Sequence, residues 1–308
     1  MRSSGENRNR RSRFVLLSLL AGLFWGASFP TVKMGLAYIS PVWFSQMRLA
    51  LAACCLFLVF RRWKLFVKFP PEYWLLGFFN GMGFLLQFLG MQYTSATKTA
   101  FYINSNLVFV ALLSFLFFKE KFGKFKITGL ILALLGIYFL SVGLQPVRVL
   151  FSGKLNGDLL VLLAGVSWGI FMVLNKKMVH HPEYSVLENV TLFLFTSAVI
   201  LLPVAVIFEP FPAHIVWQGW ALLFFTGFIA MAIPFYLWSA GLKGLTATVS
   251  AMLVLIEILV ALLLSFLFLG ESLKAIEVIG AVILICAMII ANLDKPVPVA
   301  DNQSNRTK

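Results

Sequence analysis

LLAGLFWG at 19–26 recurs as LLAGVSWG at 162–169, and further on Lys33 recurs as Lys176, all at a constant offset of 143 residues. Later in each half SATKTA at 95–100 matches TATVSA at 246–251, SFLFFKE at 114–120 matches SFLFLGE at 265–271, and Gly129 matches Gly280, now at an offset of 151. The difference between the offsets falls between the first and third apolar segments of the second half, where loops absorb insertions. The chain is therefore one unit written twice, and the nature of that unit decides the fold.

The unit is apolar throughout. Of 308 residues 60% are hydrophobic and 12% charged, and the mean hydropathy is +0.92; an ordinary soluble domain carries about 25% charged residues. A helix that crosses the hydrocarbon needs about 20 apolar residues, with its backbone polar groups bonded internally. Ten such runs are predicted, at 14–33, 41–60, 72–92, 97–118, 125–143, 156–175, 186–208, 214–238, 245–269 and 274–292. The connections are too short to hold a soluble catalytic or nucleotide-binding domain.

Five helices per copy is an odd number, so the second copy enters the membrane upside down relative to the first. The fold class expected is an all-α integral membrane protein of ten transmembrane helices, two inverted five-helix repeats around a central cavity. The first repeat occupies 14–143 and the second 156–292, with a linker at 144–155, a basic tail at 1–13 and a second tail at 293–308.

The net charge of +13 is distributed by sidedness. With the N-terminus inside, 19 of the 25 basic residues fall on one side, five (Lys33, Lys98, Arg148, Lys154, Lys274) on the other, and Arg48 within a span. Lipid phosphate and the positive-inside rule account for this pattern, which puts both termini in the cytoplasm of an inner-membrane protein and removes nucleic acid as a partner. The Arg-rich start before Phe14 also has the look of a signal peptide, but the repeat begins inside that apolar run and argues against cleavage. Cys54, Cys55 and Cys286 all lie in spans without a CxxC spacing and read as small packing residues.

The Trp-Gly pairs at 25–26 and 168–169, Pro41 with Arg48 in the second helix, and the acidic residue closing the fourth helix resemble the EamA family of the drug/metabolite transporter superfamily. Its fourth helix typically ends in Gly-Glu, matched by Gly270-Glu271 and, with lysine for glycine, by Lys119-Glu120. The resemblance spans roughly residues 14–292. It implies a ten-helix carrier, commonly an exporter, with a cavity lined mainly by helices 1, 3, 4, 6, 8 and 9. Many relatives carry Glu-Pro where this chain has Glu257-Ile258, and Leu107 stands at the equivalent place in the first half. The missing prolines predict helices without a break there.

Candidate solute contacts come from helical spacing. Asn80, Phe84 and Gln87 share one face of the third helix, and Lys98, Tyr102 and Asn106 one face of the fourth, with Asn104 pointing aside to pack between helices. On the ninth, Thr246, Ser250, Leu253 and Glu257 lie on one face. At the offset of 151 Glu257 is the mate of Asn106, Trp238 of Gln87, Phe235 of Phe84 and Met231 of Asn80. A polar wall of Asn80, Gln87, Tyr102 and Asn106 is thus expected to face an aromatic wall of Phe235 and Trp238 that contains one acid, a lining suited to an amphipathic or amino-acid-like solute. For the two aromatics the competing expectation is lipid-facing or core packing, Trp238 lying near a span end. Trp25 and Trp168 either join the site or pack the first and sixth helices closely.

A carboxylate at the bilayer centre must find a partner, face water or hold a proton. Glu257 is accordingly the candidate for proton coupling, with Arg48 and Lys98 as the cations available for a purely structural pair. Arg48, seven residues into its helix, is expected to snorkel to the outer surface as an anchor.

An enzyme is not expected: His180, His181 and His214 sit at loops or span ends, and HExxH, a Ser/His pair and GxxxxGK[ST] do not occur. No metal site and no cofactor follow from the sequence. The reading is a secondary transporter of small organic solutes in the lipid bilayer. The alternatives are an uncoupled facilitator, or a scaffold that packs helices or subunits through Gly129, Gly136 and Gly143. Oligomeric state has no signature here.

Overall fold

A computed structural model describes residues 4–60, 68–94, 96–151, 155–269 and 274–293, which form helices and turns with no strand among them. Among the described residues ten segments are long and apolar enough to cross a membrane. In chain order the spans are α1 (Ser4–Gly35), α2 (Pro41–Phe60), α3 (Glu72–Met91), the pair α4 (Ala96–Asn104) and α5 (Asn106–Phe118), α6 (Lys124–Ser141), α7 (Leu155–Met178) and α8 (Val186–Phe208). The eighth is a composite of α9 (Trp217–Phe224), a π-wound segment (Phe225–Ala232) and α10 (Ile233–Leu242). The ninth is α11 (Ala247–Val254) with α12 (Ile256–Leu269), and the tenth is α13 (Ala275–Asn292). Gly270-Glu271, Lys154, the basic residues at 61, 62 and 64, and the tails before Ser4 and after Leu293 lie outside the described residues.

Local sequence sets the helix ends. Ser185 caps α8 in a capping box, its hydroxyl accepting from the Glu188 N–H while the Glu188 carboxylate accepts from the Ser185 N–H. Thr246 caps α11 by accepting from the Val249 N–H. The fourth span closes on Lys119, whose left-handed backbone (φ 50) returns its N–H to Ser114 O.

Small residues let the halves interlock, and they do so with exchanged roles. A Cβ on Gly26 would lie 2.6 Å from both Glu257 O and Val260 Cβ; on its mate Gly169 it would meet Phe109 and Asn106 O, the mates of those residues. Gly90 packs on Gly157 O and Val161 of α7, and its mate Gly241 on Phe14 O and Ser18 of α1, again the equivalent positions. The first span of each half thus packs on the third and fourth spans of the other, which is what an inverted duplication about an in-plane axis requires. Gly129 and Gly136 are used within the chain, against Ala287, Ala291 and Leu284 of α13, and so give no support to a subunit contact. Gly143 is left-handed at φ 69, just past the end of α6.

The polarity runs inside out for water and right for lipid. Leu58, Phe117, Phe208 and Cys286 stand on the outer surface, while Asn175, Asn189 and Ser239 are buried in one hydrogen-bonded chain between α7, α8 and α10.

Two expectations about helix shape fail. The fourth and ninth spans break without proline, at Ser105 and Leu255, where Val108 N bonds back to Ser105 O and Ile258 N to Leu255 O in tighter turns. Asn104 and Ser105 contribute at the first break by turning their side chains onto Ala100 O and Tyr102 O, which also means that Asn104 bonds its own helix rather than a neighbour.

Candidate functional site

The interlocked halves leave a cavity of ≈ 130 Å³ near the two-fold axis. Its walls come from α1 (Trp25, Ser28, Phe29, Val32), α2 (Arg48), α3 (Phe84, Gln87, Phe88, Met91), the fourth span (Ile103, Asn106), α7 (Trp168, Phe171, Met172), α10 (Phe235, Trp238) and the ninth span (Val254, Glu257). Those are the spans that the family resemblance implied, with the second added through Arg48. Val32 and Met91 line the cavity near the C-terminal ends of α1 and α3, whereas their repeat mates Asn175 and Leu242 do not, so the cavity extends further toward the end of the bundle opposite the N-terminus.

Aromatic rings dominate, and they come from both halves. Trp25 meets Phe235 edge-on at 5.1 Å, and the equivalent pair Trp168 and Phe84 meets edge-on at 4.7 Å. Across the axis Phe84 and Phe235 approach to 6.4 Å, and Phe171 stacks on Trp238 at 5.7 Å. Phe235 and Trp238 are each 1% exposed, which settles them as interior residues and not an interfacial belt. The expected division into a polar first-half wall and an aromatic second-half wall is replaced by a ring of aromatics with polar groups set into it.

Gln87, Asn106 and Glu257 line the cavity, but Asn80 and Tyr102 stand off it. Asn80 is fully buried and donates to Ser197 Oγ of α8 at 2.8 Å, and Tyr102 donates to Leu150 O. Spacing puts both on polar faces, but neighbouring protein and not the cavity takes up the Asn80 amide N–H and the Tyr102 hydroxyl, while Asn80 Oδ1 has no hydrogen-bond partner among the described residues. Met231 is buried off the cavity as well. Ser28, Phe88 and Phe171 were not chosen from sequence, although each follows a chosen residue by three or four on the same helical face.

Arg48 does not snorkel. It is 3% exposed, and its Nε and one terminal nitrogen donate to Thr226 O at 3.4 and 3.2 Å, a carbonyl inside the π-wound segment. The rings of Phe44, Phe84 and Phe88 surround its guanidinium at 5.5, 5.6 and 5.8 Å. The other cation considered for Glu257 is engaged elsewhere, Lys98 pairing with Asp158 at 2.7 Å. Among the described residues no side chain lies within ion-pair or hydrogen-bond distance of the Glu257 carboxylate.

The two helix breaks determine where the central polar pair sits. Asn106 opens α5 and Glu257 lies in the first turn of α12, so each stands at the N-terminal end of a half-helix, where the helix dipole favours negative charge. Discontinuous helices at the midplane are the usual place where inverted-repeat carriers hold a solute.

The family model of the EamA-like transporter family matches residues 12–142 and again 155–293, and the chain belongs to that family. It is accordingly a multi-pass membrane transporter of small molecules and not an enzyme. Bacillus subtilis (strain 168) has a similar protein, named uncharacterized transporter YoaV, 29% identical over 284 residues that cover 90% of this chain and 96% of its own. An uncharacterized transporter of Archaeoglobus fulgidus is 29% identical over 283 residues, 89% of this chain and 84% of its own. One solved structure superposes with a TM-score of 0.74 over 92% of this chain and 98% of its own at 16% identity, a likeness of fold alone.

Proposed function

We propose that the chain is a secondary carrier that exports small amphipathic organic solutes, amino-acid-like ones included, by alternating access, with Glu257 exchanging a proton for solute. The observation that carries this reading is the Glu257 carboxylate, which faces an aromatic cavity with no partner among the described residues. In hydrocarbon such a group is held by a proton, by water or by a cationic ligand. A cycle in which solute ammonium and proton take turns on one carboxylate couples their gradients. Arg48, with an N–H group to spare and no carboxylate within ion-pair distance among the described residues, supplies the opposite charge for a solute that also carries an anionic group. The apolar body of the solute would lie against Trp25, Phe84, Trp168, Phe235 and Trp238.

The basic-residue distribution supports cytoplasmic termini. With that orientation the cavity reaches toward the outer face, the arrangement of a carrier that has delivered its solute outward.

The test is reconstitution of the full chain in liposomes with an imposed pH gradient and a panel of amino acids, amines and amphipathic drugs. Glu257→Gln is expected to express normally and to abolish gradient-driven flux, and to weaken binding of solutes held through an ammonium group. Undiminished gradient-driven flux in that variant removes Glu257 from coupling, and a wild type that moves solute with no response to pH is an uncoupled facilitator.

A further inference from the structure

We infer that Lys176 and Glu120 form a latch that holds shut the end of the cavity nearest the N-terminus, by fastening the Leu242–Thr248 junction between α10 and α11. Lys176 of α7 donates its ammonium to both Leu242 O and Leu245 O, each at 2.7 Å. Thr248 Oγ1, one residue into α11, donates to Glu120 Oε2 at 3.1 Å, and the other Glu120 oxygen pairs with Lys126 at 3.0 Å, both side chains 4% exposed. Two separate spans thus hold one short junction, through polar bonds in a place with little water.

The repeat distinguishes these ties from ordinary packing. Phe14 also holds the junction, its ring lying where a Cβ on Gly244 would be 1.8 Å away. That contact has a counterpart at the other end, where Tyr93 covers Gly157; 14 is the mate of 157 and 93 of 244, with aromatic and glycine exchanged. The same packing therefore occurs at both ends, α1 on the α10–α11 junction and α7 on the α3–α4 junction, so that α1 travels with the α10–α11 junction as one body. Lys176 and Glu120 reach the junction from outside that body, from α7 and from the end of α5. Hydrogen bonds suit such a contact, since water entering the opening gate replaces them at little net cost. At the repeat offsets the mates of Lys176, Leu242 and Leu245 are Lys33, Met91 and Thr94, so the repeat gives Lys33 the corresponding task when the opposite end closes.

The inference rests on the carrier reading, but its test reads conformation and not flux. In the full chain with Cys54, Cys55 and Cys286 replaced, Ser250→Cys puts a thiol on α11 between Thr248 and Glu257, at a buried hydroxyl with no hydrogen-bond partner to lose. Alkylation of that thiol by a maleimide is expected to be slow in the parent and about tenfold faster after Lys176→Met or Glu120→Gln, which remove charge-assisted bonds. Lys176→Arg, which keeps the donors, restores protection, and Lys33→Met gives no acceleration. Thermal unfolding of each variant shows that it is folded. An unchanged rate in both folded latch variants, or equal acceleration by Lys33→Met, overturns the latch. Loss of flux in the parent with the alkylation pattern intact would instead count against the carrier reading.

Discussion

At the scale of single residues, Lys119 shows how a family pattern translates into backbone geometry. The fourth helix of the family ends in Gly-Glu, and here lysine occupies the glycine place with φ 50, where a Cβ crowds the following carbonyl. Lys119→Gly is expected to raise stability by about 0.5–1 kcal/mol, seen as a higher midpoint of thermal unfolding in detergent. Glu120 beside it keeps its pair with Lys126, so the gain comes from the backbone alone. Other residues show what spacing leaves open. Asn80, Gln87, Tyr102 and Asn106 were all legible as polar groups needing shelter from lipid, yet only Gln87 and Asn106 reach the cavity. Whether a buried amide meets a cavity or Ser197 of another helix depends on tertiary register, which a one-dimensional pattern does not contain. Arg48 departs from expectation for the same reason: its depth fits snorkelling, and its inward direction depends on Thr226 O, 178 residues away in sequence.

At the scale of elements, the ten spans and their pairing were legible because hydrocarbon thickness and the two offsets leave few alternatives. The breaks at Ser105 and Leu255 and the π-wound turn were not, since no proline marks the breaks and π winding has no simple composition. What the sequence did display was the glycines on which helices touch. Gly26→Ala would push a methyl onto Glu257 O and Val260 Cβ at 2.6 Å, neither of which can swing away. It is expected to cost about 1–3 kcal/mol by overpacking and to displace α1 from the first turn of α12. Gly81→Ala is the control: its nearest neighbour is the flexible Leu201 side chain at 3.2 Å, and a helical Gly→Ala gain offsets the small adjustment. Thermal midpoints that fall for Gly26→Ala and stay within a degree or two for Gly81→Ala meet this expectation; equal losses in the two would remove it.

At the scale of the whole molecule, one contact is built twice with opposite chemistry. At one end Lys98 of α4 and Asp158 of α7 form an ion pair at 2.7 Å, with Thr94 also donating to Asp158. The repeat mates of Lys98, Asp158 and Thr94 are Val249, Val15 and Leu245, and at the opposite end these sit together in one apolar cluster with Phe14 and Leu19. The inverted fold therefore accepts either solution at the same place. A buried pair broken on one side leaves an uncompensated charge and costs about 3–5 kcal/mol, while replacing both members by apolar groups is often neutral. Asp158→Val alone is accordingly expected to lower the thermal midpoint sharply. Adding Lys98→Val, which copies the Val15–Val249 arrangement of the other end, is expected to return most of the loss, with Thr94 giving up one hydrogen bond. Unfolding of the two single variants and the double variant in detergent measures the coupling. If the double variant is as unstable as the worse single one, the two ends are not equivalent sites of one repeated contact, and the ion pair is required for a reason particular to its own end.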